Sequence, residues 1–314
     1  MAVATGDLLD RASTGDKRAL ARVLTIVEND EPGAADIVRR TFPQAGRALV
    51  LGVTGPPGGG KSTLVSRLVG AYRAAGKRVA VVAVDPSSPF TGGAILGDRI
   101  RMQSRALDEG VFIRSMASRG HAGGLARTTA RVVSVLDALG SDVVIVETVG
   151  VGQEEVDVIR VADTVALVTV PGLGDDIQAI KAGVLEIADV LIVNKADRPG
   201  ADETAKDLAQ MLTLGVARTD WKPPIVRTIA ATGEGIDEVV GAVARHQAHV
   251  EGSGERERRR AESARVEVEA LLREALVRRL EARVGGERVR RAVARVALRE
   301  VDPYAAVEEL LRDS

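Results

Sequence analysis

Short, unbroken apolar runs alternate along this chain with segments whose apolar residues return every three or four positions. The runs at 48–53, 79–84, 111–114, 142–147, 164–170, 190–193 and 225–229 read as strands, because a strand covered on both faces has no polar side to show. Between them, Leu64, Val65, Leu68 and Val69 mark a helix after position 61, and residues 124–139, 176–187 and 236–250 carry helical patterns. Strands alternating with helices predict a doubly wound, mostly parallel α/β sheet. Ahead of it, Leu8, Leu9, Leu20, Val23, Leu24, Val27, Ile37 and Val38 recur at helical spacing with a break at Glu31-Pro32-Gly33, so residues 1–43 form a helical extension. From 252 onward Arg and Glu interleave. Val268, Leu271, Leu272, Ala275, Leu276 and Leu280 still keep a helical stripe, Val284-Gly285-Gly286 interrupts it, and Pro303 sits at the start of a last helix. This C-terminal arm, 252–314, reads either as a solvated charged helix or as a surface for a second subunit.

The first strand runs into Gly55-Pro56-Pro57-Gly58-Gly59-Gly60-Lys61-Ser62, which fits G-x-x-x-x-G-K-[ST] between a strand and a helix, the setting that motif requires. Glycines let successive backbone N–H groups turn onto a polyphosphate, Lys61 reaches the outer phosphates, and the Ser62 hydroxyl suits magnesium. The second strand ends in Asp85, and residues 87–101, rich in Ser, Gly and charge, read as a functional loop. The fourth run ends in Glu147-Thr148-Val149-Gly150, placing a carboxylate and then a glycine at a strand end. In phosphate-loop proteins such a carboxylate orients magnesium's water shell, and such a glycine N–H senses the γ-phosphate. Asn194-Lys195-Ala196-Asp197, after the sixth run, matches N-K-x-D. An Asp carboxylate there accepts from guanine N1–H and its 2-amino group, whereas adenine offers neither donor. The expected site for guanine nucleotide therefore comprises Gly55, Pro56, Pro57, Gly58, Gly59, Gly60, Lys61, Ser62, Thr63, Gly150, Asn194, Lys195, Asp197 and Ala230, within a nucleotide domain spanning 44–251.

Composition removes other chemistries. The 314 residues carry a formal net charge of −1 and only 2% aromatics, so neither a basic field nor stacking platforms point to nucleic acid or an anionic membrane. There is no cysteine, which excludes disulfides, thiolate catalysis and Cys-based zinc sites and suits the cytoplasm. No apolar run is long enough to span a bilayer, and Asp7 and Asp10 are unlike a signal peptide. Three histidines, His121, His246 and His249, are too few for a metal store. His246 and His249, three apart on a predicted helix, read as surface residues.

With these motifs in order, the chain resembles the MeaB/ArgK GTPases. The resemblance extends through Val84-Asp85-Pro86-Ser87-Ser88, the 91–99 and 112–120 segments, Val146 to Gln153, Pro171-Gly172-Leu173-Gly174-Asp175-Asp176 and Asp302-Pro303-Tyr304-Ala305-Ala306. It implies a SIMIBI-type GTPase that binds GTP or GDP with Mg2+ and serves as a chaperone of an adenosylcobalamin-dependent acyl-CoA mutase, chiefly methylmalonyl-CoA mutase. It also implies a homodimer joined through the C-terminal arm. By the family's pattern Ser62, Asp85, Asp98 and Glu147 surround the metal, Gln153 belongs to the second switch, and Lys181 lies in a third switch, giving Lys61, Gln153 and Lys181 as the expected catalytic set. One departure is at the guanine loop, where Ile229-Ala230 stands for the Ser-Ala or Ser-Gly of many relatives. Two other readings remain: a P-loop kinase that passes the γ-phosphate to a protein or metabolite, and a nickel-delivery GTPase, which the few histidines disfavour.

Overall fold

The computed structural model describes residues 2–85, 107–117, 124–148, 161–172, 185–214 and 220–312. Two compact units are present, Met1–Ser253 and Gly254–Ser314.

In the first unit seven strands, β1 (Leu49–Thr54), β2 (Val79–Asp85), β3 (Val111–Ala117), β4 (Val143–Thr148), β5 (Thr164–Thr169), β6 (Val190–Asn194) and β7 (Ile225–Thr228), form one sheet. Their order is β3-β2-β4-β1-β5-β6-β7, and every pairing is parallel. The central strands are buried at nearly every position, as unbroken Val/Ile/Leu runs require. Alternation assigns their side chains to two cores. On one face Leu51, Val53, Val143, Ile145, Ala166 and Val168 pack with Leu64, Leu68 and Val243 from helices α4 (Lys61–Ala74) and α7 (Ile236–Gly252). On the other, Val50, Val144, Val146 and Val165 pack with Val132 and Leu136 of α5 (Gly124–Ala138) and with α1 (Ala2–Ser13), α2 (Lys17–Glu28) and α3 (Ala34–Thr41). Helix α6 (Ala201–Leu214) covers the β6 side.

The N-terminal helices are thus part of the sheet's cover. Val23, Leu24 and Ile37 are fully buried in the same cluster as strand residues, and Arg114 of β3 forms an ion pair with Glu28 of α2. Asp16 caps α2 by accepting from Arg18 N at 2.9 Å and Ala19 N at 3.0 Å. Asp137, at the end of α5, accepts from the backbone N–H groups of Gly46, Arg47 and Ala48 and so fixes where the chain enters β1.

The second unit contains α8 (Glu255–Val284), α9 (Gly286–Ala297) and α10 (Pro303–Arg312). Gly285, at φ 79°, breaks α8 from α9, and Asp302 caps α10 through Tyr304 N and Ala305 N. Arg295 of α9 bonds Glu309 of α10 at 2.6 Å. The stripe expected on α8 is exposed: Val268 at 63%, Leu272 at 57% and Leu276 at 54%. Among the described residues no helix is long and apolar enough to cross a membrane.

One expectation is corrected here. His246 is fully buried, not a surface residue. Its Nδ1 lies 2.8 Å from Thr164 Oγ1 and its Nε2 3.1 Å from Asp189 Oδ1, while Trp221 packs edge-on against its ring. The α7 face that carries it turns inward, toward Thr164 at the start of β5 and Asp189 just before β6.

Candidate active site

Strand β1 lies between β4 and β5, so the loop leaving its C-terminal end meets groups from both neighbours. Gly58 and Gly60 adopt φ values of 75° and 85°, the left-handed region that glycine occupies without a Cβ penalty. Gly55 is held more tightly, because a Cβ there would stand 2.1 Å from the Val168 carbonyl oxygen of β5. Lys61, the first residue of α4, folds back so that Nζ donates to Gly55 O at 2.7 Å and Pro56 O at 2.9 Å. Lys61 is 6% exposed, and its ammonium already lies over the loop it is expected to serve.

Glu147 comes from the adjacent strand. It pairs with Val53 in the β1–β4 register, and its side chain follows Val143 and Ile145 onto the α4 face of the sheet. There it accepts from Ser62 Oγ at 2.6 Å, with both residues buried. With its proton directed at the carboxylate, a serine hydroxyl presents oxygen rather than hydrogen to a cation. This oxygen-only set fits magnesium, which is held by one or two protein groups plus phosphate and water. Opposite Glu147, Thr148 Oγ1 donates to Thr54 Oγ1 at 2.9 Å, joining the ends of β4 and β1.

Strand β6 delivers the third group. Asn194 Nδ2 donates to Gly59 O at 2.9 Å, while its Oδ1 accepts from Thr228 Oγ1 and from Ala230 N, each at 3.1 Å. Lys195, in left-handed backbone at φ 57°, donates from Nζ to Gly58 O at 2.8 Å. The phosphate loop and the 229–235 loop are therefore tied through one amide. Asp197 follows in an exposed turn, and among the described residues nothing engages its carboxylate.

The structure thus gathers Gly55 to Ser62, Glu147, Asn194, Lys195 and Ala230 at the C-terminal ends of the strands. Asp85 ends β2 two strands from β1. Asp98, Gly150, Gln153 and Lys181 lie outside the described residues. Arg67 escaped the sequence reading. It lies six positions after Lys61 on α4, outside the phosphate-loop motif, and donates to the carbonyls of Ala230 and Ala231.

The signature of the family described as "Methylmalonyl Co-A mutase-associated GTPase MeaB" matches residues 20–284. A Pyrococcus abyssi protein provisionally named a GTPase is 47% identical, over 98% of this chain and 96% of its own. The mouse protein named as a mitochondrial methylmalonic aciduria type A homolog is 32% identical over 77% of this chain and 62% of its own. A solved structure titled LAO/AO transport system kinase superposes with a TM-score of 0.73 at 27% identity, covering 99% of this chain and 97% of that one. A family signature spanning most of the chain, relatives of this similarity and a phosphate loop folded on the matching sheet lead to one conclusion: the chain belongs to the MeaB family of GTP-hydrolysing P-loop proteins.

Proposed function

We propose that this GTPase gates adenosylcobalamin loading into a cobalamin-dependent acyl-CoA mutase, methylmalonyl-CoA mutase first among them, and protects the loaded enzyme. The observation that carries this reading is the match over residues 20–284 to a family described by its association with that mutase. In the same reading the backbone of Gly55 to Thr63 holds the phosphates, and Lys61 exchanges its two carbonyl partners for phosphate oxygens. Asp197 reads the guanine edge. Ser62, Glu147, Asp85 and Asp98 would hold a magnesium ion, which would supply positive charge to the outer phosphates. Gln153, Gly150 and Lys181 respond to the γ-phosphate. The protein acts in the cytoplasm.

The test mixes the chain with purified mutase and γ-labelled GTP. Complex formation, faster turnover and label in free phosphate are expected; unchanged turnover with every cobalamin-dependent acyl-CoA mutase overturns the reading. A second reading, phosphoryl transfer to a protein or metabolite, draws on the kinase title of the 27%-identical structure. Label appearing in an acceptor would establish it.

For the metal, Ser62→Ala and Glu147→Ala each remove one half of the 2.6 Å pair. A lost charge-assisted bond of ~1.5–3 kcal/mol corresponds to a roughly ten- to hundredfold slower step. Each variant should lose hydrolysis by about that factor while binding GDP nearly as well. Wild-type turnover in both would remove the pair from the site.

The exposed α8 stripe supports a homodimer, since exposed leucines and valines in a row are stabilised by a covering surface. Light scattering should return twice the 33.0 kDa chain mass. A monomer at all concentrations would exclude it.

A further inference from the structure

Arg67 is an exposed arginine on α4, and its two bonds set the orientation of one peptide in the guanine loop. Its Nε donates to Ala230 O at 3.0 Å, and a terminal guanidinium nitrogen donates to Ala231 O. The planar fork suits two neighbouring carbonyls at once, as a lysine ammonium does not. In a trans peptide the N–H points opposite to the C=O, so anchoring the Ala230 carbonyl on α4 turns the Ala231 N–H away from that helix.

The rest of the loop is internally bonded. Ile229 N donates to Glu234 O, Thr232 N and Gly233 N both donate to Ile229 O, and Ala230 N donates to Asn194 Oδ1. Among the described residues Ala231 N–H alone of the 229–233 amides makes no such bond. We infer that Arg67 is a positioning residue for base recognition, holding the 230–231 peptide so that Ala231 N–H donates to the 6-oxo group of guanine. The inference rests on the reading of this loop as the guanine loop. It adds a donor and the residue that aims it. Because Arg67 stands on the helix that begins at Lys61, base and phosphate recognition then share one rigid element, in parallel with the Asn194 link.

The alternative is an arginine that merely steadies a turn, and three ligands separate the two. GDP carries the 6-oxo group, IDP keeps it but lacks the 2-amino group, and 6-thio-GDP keeps N1–H and the 2-amino group but presents a sulfur, a poor acceptor. A hydrogen bond of typical net strength corresponds to a factor of about three to ten in Kd. Arg67→Ala should therefore raise Kd for GDP and IDP by about that factor, through faster dissociation, while leaving 6-thio-GDP within about twofold of wild type. Arg67→Lys, which keeps the charge but loses the fork, should show the same ordering with smaller factors and serves if Arg67→Ala folds poorly. An equal loss on all three ligands, in either variant, would overturn the inference and leave a structural role. A wild-type protein that binds 6-thio-GDP as tightly as GDP would instead sink the underlying reading of the loop.

Discussion

Asp197→Asn should exchange GTP for XTP as the preferred nucleotide. The wild-type carboxylate is exposed in the turn after β6 and has no protein partner among the described residues, so it is available to two guanine donors. Each charge-assisted bond contributes ~1.5–3 kcal/mol, and together they amount to a factor of roughly 10²–10⁴ in affinity. An Asn side chain still accepts from N1–H, but its NH2 faces the 2-amino group donor to donor. Xanthine replaces that amine by an oxygen and restores the bond. Losing one of the two bonds, the variant should lose GDP affinity by roughly ten- to hundredfold, gain XDP affinity, and keep its fold, because the residue is on the surface. Calorimetry against GDP, XDP and ADP checks all three arms. A variant that still ranks GDP first by the wild-type margin would show that Asp197 does not read the base.

Much of this site was legible because two of its motifs sit at the ends of unbroken apolar runs. The run before Gly55 and the run that ends at Asn194 become β1 and β6, each of only five or six residues, a length that suits a buried parallel strand and is too short for a buried helix. The Glu147 carboxylate was harder to place. A strand-end Glu is ordinarily solvated, and only the pairing of β4 beside β1 brings it within 2.6 Å of Ser62, a contact 85 positions apart in sequence. His246 was misread for a related reason. Helical spacing names the residues that share a face, but the polar groups that an inward histidine meets, Thr164 and Asp189, come from distant parts of the chain. Arg67 was invisible because its two carbonyl acceptors belong to the backbone, which carries no residue-type signal. The N-terminal helices were recognised as helices, yet nothing in their periodicity showed that Leu24 and Ile37 would close the same core as the sheet.

The sharpest consequence of the buried links falls on Asn194, whose role the N-K-x-D motif alone does not convey. Asn194→Ala should destabilise the protein itself as well as its nucleotide complex, since all three of its partners are protein groups: Gly59 O, Thr228 Oγ1 and Ala230 N. The residue is 2% exposed, so water does not readily replace the amide. At ~1–3 kcal/mol for each polar group left without a partner, the substitution costs ~3 kcal/mol or more. That is a large share of the ~5–15 kcal/mol that holds a typical domain. For a unit of this size the melting temperature should fall on the order of 10 °C, measured without added nucleotide. Thr228→Val removes only one of the three bonds and should cost about a third as much. GDP affinity should fall at least about tenfold in Asn194→Ala, because releasing Gly59 and Ala230 together frees the phosphate loop and the guanine loop to move apart. If Asn194→Ala melts with the wild type and loses affinity only, the amide acts on the base alone and the two loops are held by something else. If it melts early and nucleotide then restores most of the loss, the ligand itself bridges the loops that Asn194 normally joins.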